Sequence, residues 1–247
     1  MMEHPFLAAA IGAVVAGFVQ GLSGFAFSMV AMSFWAWWLD PMMAAVLAVF
    51  GGLTGQIIGA VSVRRGFDAK LLLPFLAGGF AGIPLGVYLL PLLDVHLFKA
   101  ALGGLLIVWC PFMLLAPRLP AITGGGRVAD GLAGLAGGIC GGIGGFTGAL
   151  PTLWCSLRKM PKDTQRSVIQ NFNLATLAAT MVAYVVTGKV TRDMLPMFAV
   201  VAPAMLVPGL LGARVYVGLS EDTFRKIVLV LLAASGAALL ASGVPRL

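Results

Sequence analysis

Two short stretches carry residues that could hold an anion without a charged side chain. One is Gln20-Gly21-Leu22-Ser23-Gly24-Phe25-Ala26-Phe27-Ser28; the other runs from Gly137 to Gly148 and ends Gly141-Gly142-Ile143-Gly144-Gly145-Phe146-Thr147-Gly148. Aligning Gly21, Gly24 and Phe25 with Gly142, Gly145 and Phe146 gives an offset of 121 residues. Each glycine costs a helix interior about 1 kcal/mol against Ala, so such density reads as a break in a helix. A helix that restarts after the break aims unbonded N–H groups and a partial positive charge at what lies ahead of it. Two such starts facing one another would bind an anion, and glycine lets the backbone come within bonding distance. Gln20, Ser23, Ser28 and Thr147 are polar groups at hand. The candidate binding residues are therefore Gln20, Gly21, Ser23, Gly24, Phe25 and Ser28 on one stretch, and Gly142, Gly144, Gly145, Phe146 and Thr147 on the other. A third cluster, Arg166, Gln170, Asn171 and Asn173, opens a later apolar segment; amides there should face protein or a solute path.

These stretches must be positioned by membrane-spanning elements. Of the 247 residues 60% are apolar and 10% charged, against about 25% charged in a soluble domain; mean hydropathy is +1.01. The charges leave eight uncharged runs: 5–39, 41–63, 71–93, 100–117, 131–157, 167–188, 194–213 and 227–245. A span takes about 20 apolar residues, which makes the chain an all-α integral membrane protein. Run 5–39 is about 52 Å long as one helix, too long for one crossing, and its halves on either side of Gly21–Gly24, of about 15 residues, are too short to cross comfortably. A hairpin of two short helices meeting at the glycines fits better, and run 131–157 repeats the pattern around Gly141–Gly145. The other six runs fit single spans.

The second half repeats the first. Gly66 and Pro74 match Gly188 and Pro196 at offset 122, and Gly86, Phe98 and Lys99 match Gly212, Phe224 and Arg225 at offset 126. Each half is then one hairpin plus three spans, which inverts the halves in the membrane. The boundaries are 1–116 for the first repeat, 117–129 for a Pro- and Gly-rich linker and 130–247 for the second repeat. With the N-terminus outside, the inside loops hold Arg64, Arg65, Lys70, Arg118, Arg127, Arg158, Lys159, Lys162, Arg166, Arg214, Arg225 and Lys226. Lys99, Lys189, Arg192 and Arg246 stay outside, so the split is 12 against 4. That is the positive-inside pattern, and it accounts for the net charge of +7 without nucleic acid. Trp35, Trp37 and Trp38 read as an interfacial anchor. Small residues spaced by four, such as Gly78/Gly82/Gly86 and Gly134/Gly138/Gly142, let helices approach closely. Cys110, Cys140 and Cys155 lie in apolar runs, without metal or disulfide spacing.

Interrupted helices in inverted repeats are a transporter pattern, with the site where the breaks meet. No ionisable residue lies deep in a run, which speaks against a carboxylate-coupled proton relay. Gly21-Leu22-Ser23-Gly24 also has the Gly-x-Ser-Gly form of rhomboid intramembrane proteases. A serine nucleophile needs a base within reach, and the only histidines, His4 and His96, sit at run ends. No enzyme activity, cofactor or metal is expected. The expected partners are a small anionic substrate, membrane lipid and, as a candidate assembly, a second copy in a homodimer.

In order and spacing, Gln20-Gly-Leu-Ser-Gly-Phe-Ala-Phe27, Gly66-Phe-Asp68, Gly82-Ile-Pro-Leu-Gly86 and Gly141-Gly-Ile-Gly-Gly145 resemble the TauE/SafE sulfite-exporter family, also called toluene-sulfonate uptake permeases. The resemblance covers nearly the whole chain. It implies a secondary transporter of sulfite, sulfonates or related small organic anions in the bacterial inner membrane. Many members carry a third glycine where this chain has Phe25 and Phe146, so a bulkier wall here would alter the pocket. A passive anion channel and a carrier of another small carboxylate are the alternatives.

Overall fold

A computed structural model describes residues 3–24, 26–62, 66–215 and 221–244. Phe25, Arg64, Arg65 and Arg246 lie outside the described residues, as do the side chains of Arg214, Phe224 and Arg225. The described chain is helical: α1 (Glu3–Ser23), α2 (Phe27–Trp35), α3 (Pro41–Ser62), α4 (Ala69–Leu89), α5 (Val95–Leu115), α6 (Gly126–Gly144), α7 (Ala149–Leu157), α8 (Lys162–Val186), α9 (Leu195–Val215) and α10 (Glu221–Gly243). No strand occurs among the described residues. Among the described residues seven helices are long and apolar enough to cross a membrane: α1, α3, α4, α5, α8, α9 and α10. The chain is a multi-pass membrane protein.

The helix boundaries follow the charges and the glycines. Asp68 starts α4 by accepting from the amides of Lys70 and Leu71, and Asp94 starts α5 by accepting from those of His96 and Leu97. Side-chain caps of this kind satisfy first-turn donors that have no carbonyl behind them. Runs 5–39 and 131–157 are both broken, at Gly24 (φ +79°) and Gly145 (φ +76°). The left-handed conformation costs an L-residue about 1–2 kcal/mol and glycine almost nothing.

Both broken runs fold back as hairpins. Trp35, at the end of α2, donates its indole N–H to the carbonyl of Ala8, near the start of α1. Trp154, on α7, reaches Asp130, near the start of α6. The arms are unequal, contrary to the even division expected from length: 21 and 9 residues in the first hairpin, 19 and 9 in the second. A nine-residue helix is about 14 Å long, so each short arm returns to the face it came from. The first short arm ends early because the chain turns at Ala36–Leu39, just ahead of the next start at Asp40–Pro41.

Glycines decide how closely the long helices pack. Gly78 lies against Gly131 and Leu135, Gly82 against Leu135 and Ile139, Gly86 against Ile139 and Gly142. The numbers rise together, so α4 and α6 are parallel, and a Cβ at any of these three glycines would collide with a backbone carbonyl. α1 runs parallel to α9, with Gly17 against Met205 and Phe18 and Leu22 against Gly212. α5 and α10 are antiparallel, with Gly103 facing Gly236 and Gly243 facing His96 and Ala100. α3 and α8 stand between the hairpins, also antiparallel: Gly52 meets Leu177, and Gly66, just beyond α3, meets Ser167. These directions bring the ends carrying Lys70, Arg127 and Lys162 to one face, and those carrying Lys99 and Lys189 to the other. On that second face the Lys99 ammonium lies 4.8 Å from the centre of the Trp37 ring.

Candidate anion site at the hairpin tips

At the first tip the amide of Gly24 donates to the Gln20 carbonyl at 2.7 Å, which closes α1. The Ser23 hydroxyl donates back to Val19 O at 2.8 Å and accepts from the Ala26 amide at 3.3 Å. Gln20, 6% exposed, turns its Oε1 onto the Phe27 amide at 3.0 Å and so caps α2. The next two amides, of Ser28 and Met29, sit in a first turn and have no intrahelical carbonyl to meet. Gln56 of α3, 1% exposed, donates Nε2 to the Gly24 carbonyl at 2.7 Å. A methyl group on Gly24 would lie 3.0 Å from Gln170 Nε2.

At the second tip the amide of Gly145 donates to Gly141 O at 2.8 Å and that of Phe146 to Cys140 O at 3.3 Å. The bond from the left-handed Gly145 to Gly141 is the αL closure of a helix, the same closure that Gly24 makes onto Gln20. Thr147 Oγ1 donates to Asn173 Oδ1 at 2.9 Å, and the Asn173 side chain packs on Gly148. Tyr184 Oη donates to Gly142 O at 2.8 Å, and Trp109 Nε1 to Ala149 O at 2.7 Å. Gly142 O lies in the last turn of α6, where carbonyls run out of helical partners; Ala149 O opens α7, and the indole adds a second donor to it.

The two tips meet. A methyl on Gly145 would lie 2.8 Å from Ser28 Oγ and 3.3 Å from Val49, so the first turn of α2 leans on the second hairpin's turn. Ser28 itself donates to Ala48 O of α3 at 3.1 Å. Gly144 is covered by the Phe146 ring and the end of Met32. The junction of the tips is thus made of backbone, hydroxyls and neutral amides. It can neutralise a guest only through dipoles and hydrogen bonds. Gln20, Ser28, Phe146, Thr147 and Asn173 are all buried, so the arrangement is closed to both faces.

Of the residues chosen from sequence, Gln20, Gly24, Ser28, Gly142, Gly144, Gly145, Phe146, Thr147, Gln170 and Asn173 are at or against the tips; Gly21 and Ser23 lie in the last turn of α1 that leads there. Asn171 is turned elsewhere: its Nδ2 donates to Gly66 O at 3.0 Å and to Ser167 O at 2.9 Å. Arg166 is exposed, one turn nearer the basic face than Gln170. Ser23 is bonded to its own helix, and His96 is at the start of α5 beside the end of α10; the side chain of His4 lies outside the described residues.

Sequence reasoning missed Gln56, Trp109 and Tyr184, although Gln56 is the only amide in run 41–63. It also missed Asp130. That carboxylate, 3% exposed, accepts from Arg158 Nη1 at 2.6 Å and Trp154 Nε1 at 2.7 Å and pins the base of the second hairpin. Thr152, on α7, has a buried hydroxyl with no hydrogen-bond partner among the described residues.

No curated protein and no solved structure matches the chain. The family model of the sulfite exporter TauE/SafE matches residues 9–239. The chain belongs to that family, one of membrane transporters of sulfur anions.

Proposed function

We propose that this member of the sulfite exporter TauE/SafE family is a secondary transporter of the bacterial inner membrane, with its N-terminus outside and sulfite, a sulfonate or an organosulfonate as its cargo. The observation that carries this reading is the meeting of two broken helices at Gly24 and Gly145, with the first turn of α2 against the second turn region. A tetrahedral or pyramidal oxyanion offers several acceptors, and the junction offers the first-turn amides of Ser28 and Met29 in α2 and of Leu150 in α7; the Ser28 and Thr147 hydroxyls, bonded to Ala48 O and Asn173 Oδ1, would turn to the guest only by giving up those partners. Gln170 and Asn173, which lie on neighbouring faces of α8 at helical spacing, add amide groups. Arg166 stands on the route to the basic face.

The two halves act as inverted repeats. The pairing supports this: α1 with α9 in one case and α6 with α4 in the other are both parallel, and α5 with α10 and α3 with α8 are antiparallel. Exchanging the halves maps the first two pairs onto one another and each of the last two onto itself. Because the junction is buried, the guest gains access when one hairpin shifts against the helices that hold it, first toward one face and then the other. Proteoliposome flux over a panel of sulfite, sulfonates and carboxylates, with and without a pH gradient, tests the reading. Saturable, gradient-driven flux of a sulfur anion is expected. Conductance that follows voltage alone would make the protein a channel, and flux of carboxylates only would remove the sulfur anion as cargo.

A further inference from the structure

We propose that the cleft between the first turns of α4 and α6 binds the headgroup of an anionic phospholipid. The cavity, about 380 Å³, is lined by Ala69, Lys70, Leu73, Pro74, Ala77 and Arg127. Its chemistry is graded along the helix axis. Lys70 and Arg127 are both in first turns, at the basic face. Leu73 and Ala77 follow one and two turns further on, about 5 and 10 Å deeper. Beyond them the cleft is shut, because Gly78 meets Gly131 backbone to backbone. Cations at the membrane surface with an apolar wall leading inward match a phosphate with its acyl chains attached.

Neither cation is committed to a carboxylate. The Asp68 carboxylate turns back onto the amides of Lys70 and Leu71, and Asp130 is engaged by Arg158 and Trp154. Asp130 is held in an ion pair with Arg158. The cleft also opens onto lipid-facing surface: Leu73 is 64% exposed, and Val128 and Leu132 of α6 are exposed beside it. A free phosphate ion would gain from the two cations but nothing from Leu73, and so the lipid is the better occupant. Basic clefts between spans on the Lys- and Arg-rich side are where anionic headgroups collect. This site is separate from the hairpin tips and does not depend on what they bind.

Native mass spectrometry of the purified full chain, titrated with phosphatidylglycerol, phosphatidylcholine of the same acyl chains and inorganic phosphate, tests the proposal. Two surface cations in an anionic field predict a preference for phosphatidylglycerol over phosphatidylcholine of about ten- to thirtyfold. The double variant Lys70→Gln/Arg127→Gln should lose that preference. Leu73→Asn, which leaves both charges in place, should weaken phosphatidylglycerol severalfold, and Lys189→Gln/Arg192→Gln at the opposite face should change nothing. A preference that survives Lys70→Gln/Arg127→Gln would overturn the site. Inorganic phosphate competing equally with phosphatidylglycerol, with Leu73→Asn silent, would overturn the lipid as its occupant.

Discussion

The two hairpins have the same backbone plan but different fastenings. In the first, the base is apolar and neutral: Trp35 donates to the Ala8 carbonyl at 3.2 Å and its ring covers Gly12. Its tip is held by two neutral amides, Gln20 and Gln56. In the second, the base is an ion pair, Asp130 with Arg158, joined by Trp154, and the tip is held by Thr147–Asn173 and by donors from Tyr184 and Trp109. What recurs is the break itself and its left-handed glycine. The side chains that secure it do not recur. A repeated break with unrepeated fastenings is what the proposed shared task at the tips would produce, and one fastening, Trp109 to Ala149, reaches across from the first half to the second.

The sharpest test of this difference lies in the seams of the long arms. Gly138→Leu would drive a side chain into the backbone of Gly79, between two further glycine contacts of the same seam. It should cost upwards of about 4 kcal/mol and abolish the folded monomer in detergent. Gly17→Leu in the first hairpin meets Met205 across a seam with fewer glycines and should cost less, about 2–3 kcal/mol, read by thermal unfolding. At the bases, Asp130→Ala strands a guanidinium inside the second hairpin and should cost about 3 kcal/mol. Trp35→Phe deletes one neutral hydrogen bond in the first and should cost about 1 kcal/mol. If the two variants melt together, the bases are equivalent after all.

The tips should separate more finely. Gly24→Ala and Gly145→Ala each force an L-residue into positive φ, at about 1–2 kcal/mol. The methyl at Gly145 also meets the Ser28 hydroxyl, whereas that at Gly24 meets the flexible end of Gln170. Flux should therefore fall further in Gly145→Ala than in Gly24→Ala. Smallest of all, Gln56→Leu leaves the Gly24 carbonyl unpaired and should lower stability by about 1 kcal/mol.

Much of this was legible in the residues. The positions of both breaks and the grouping of Lys70, Arg127 and Lys162 follow from charge and glycine placement alone, whereas the caps Asp68 and Asp94 were not read, and α5 begins at Val95, ahead of the uncharged run at 100. The unequal arms were not legible, because hydropathy continues unchanged from Ala36 to Leu39 after α2 has ended. Asn171 was misgrouped with its neighbours for a geometric reason. Residues 170 and 173 are about 60° apart around a helix, but 171 is about 100° from 170, which aims it at Gly66. Gln56 gave no signal because one amide in an apolar run forms no pattern. Asp130 resembled an ordinary loop charge, since its partner Arg158 is distant in sequence and only the hairpin brings the two together.

The most direct test asks whether one anion touches both tips. Single cysteines at Ser28→Cys and Thr147→Cys, in a chain whose Cys110, Cys140 and Cys155 are replaced by Ala, can be labelled by a membrane-impermeant thiol reagent while a transported sulfonate is titrated. Both positions should be protected over the same range of sulfonate concentration, and Gly145→Ala should shift that range upward at both. Protection at one tip only, or at neither while flux continues, would contradict a site shared by the two breaks.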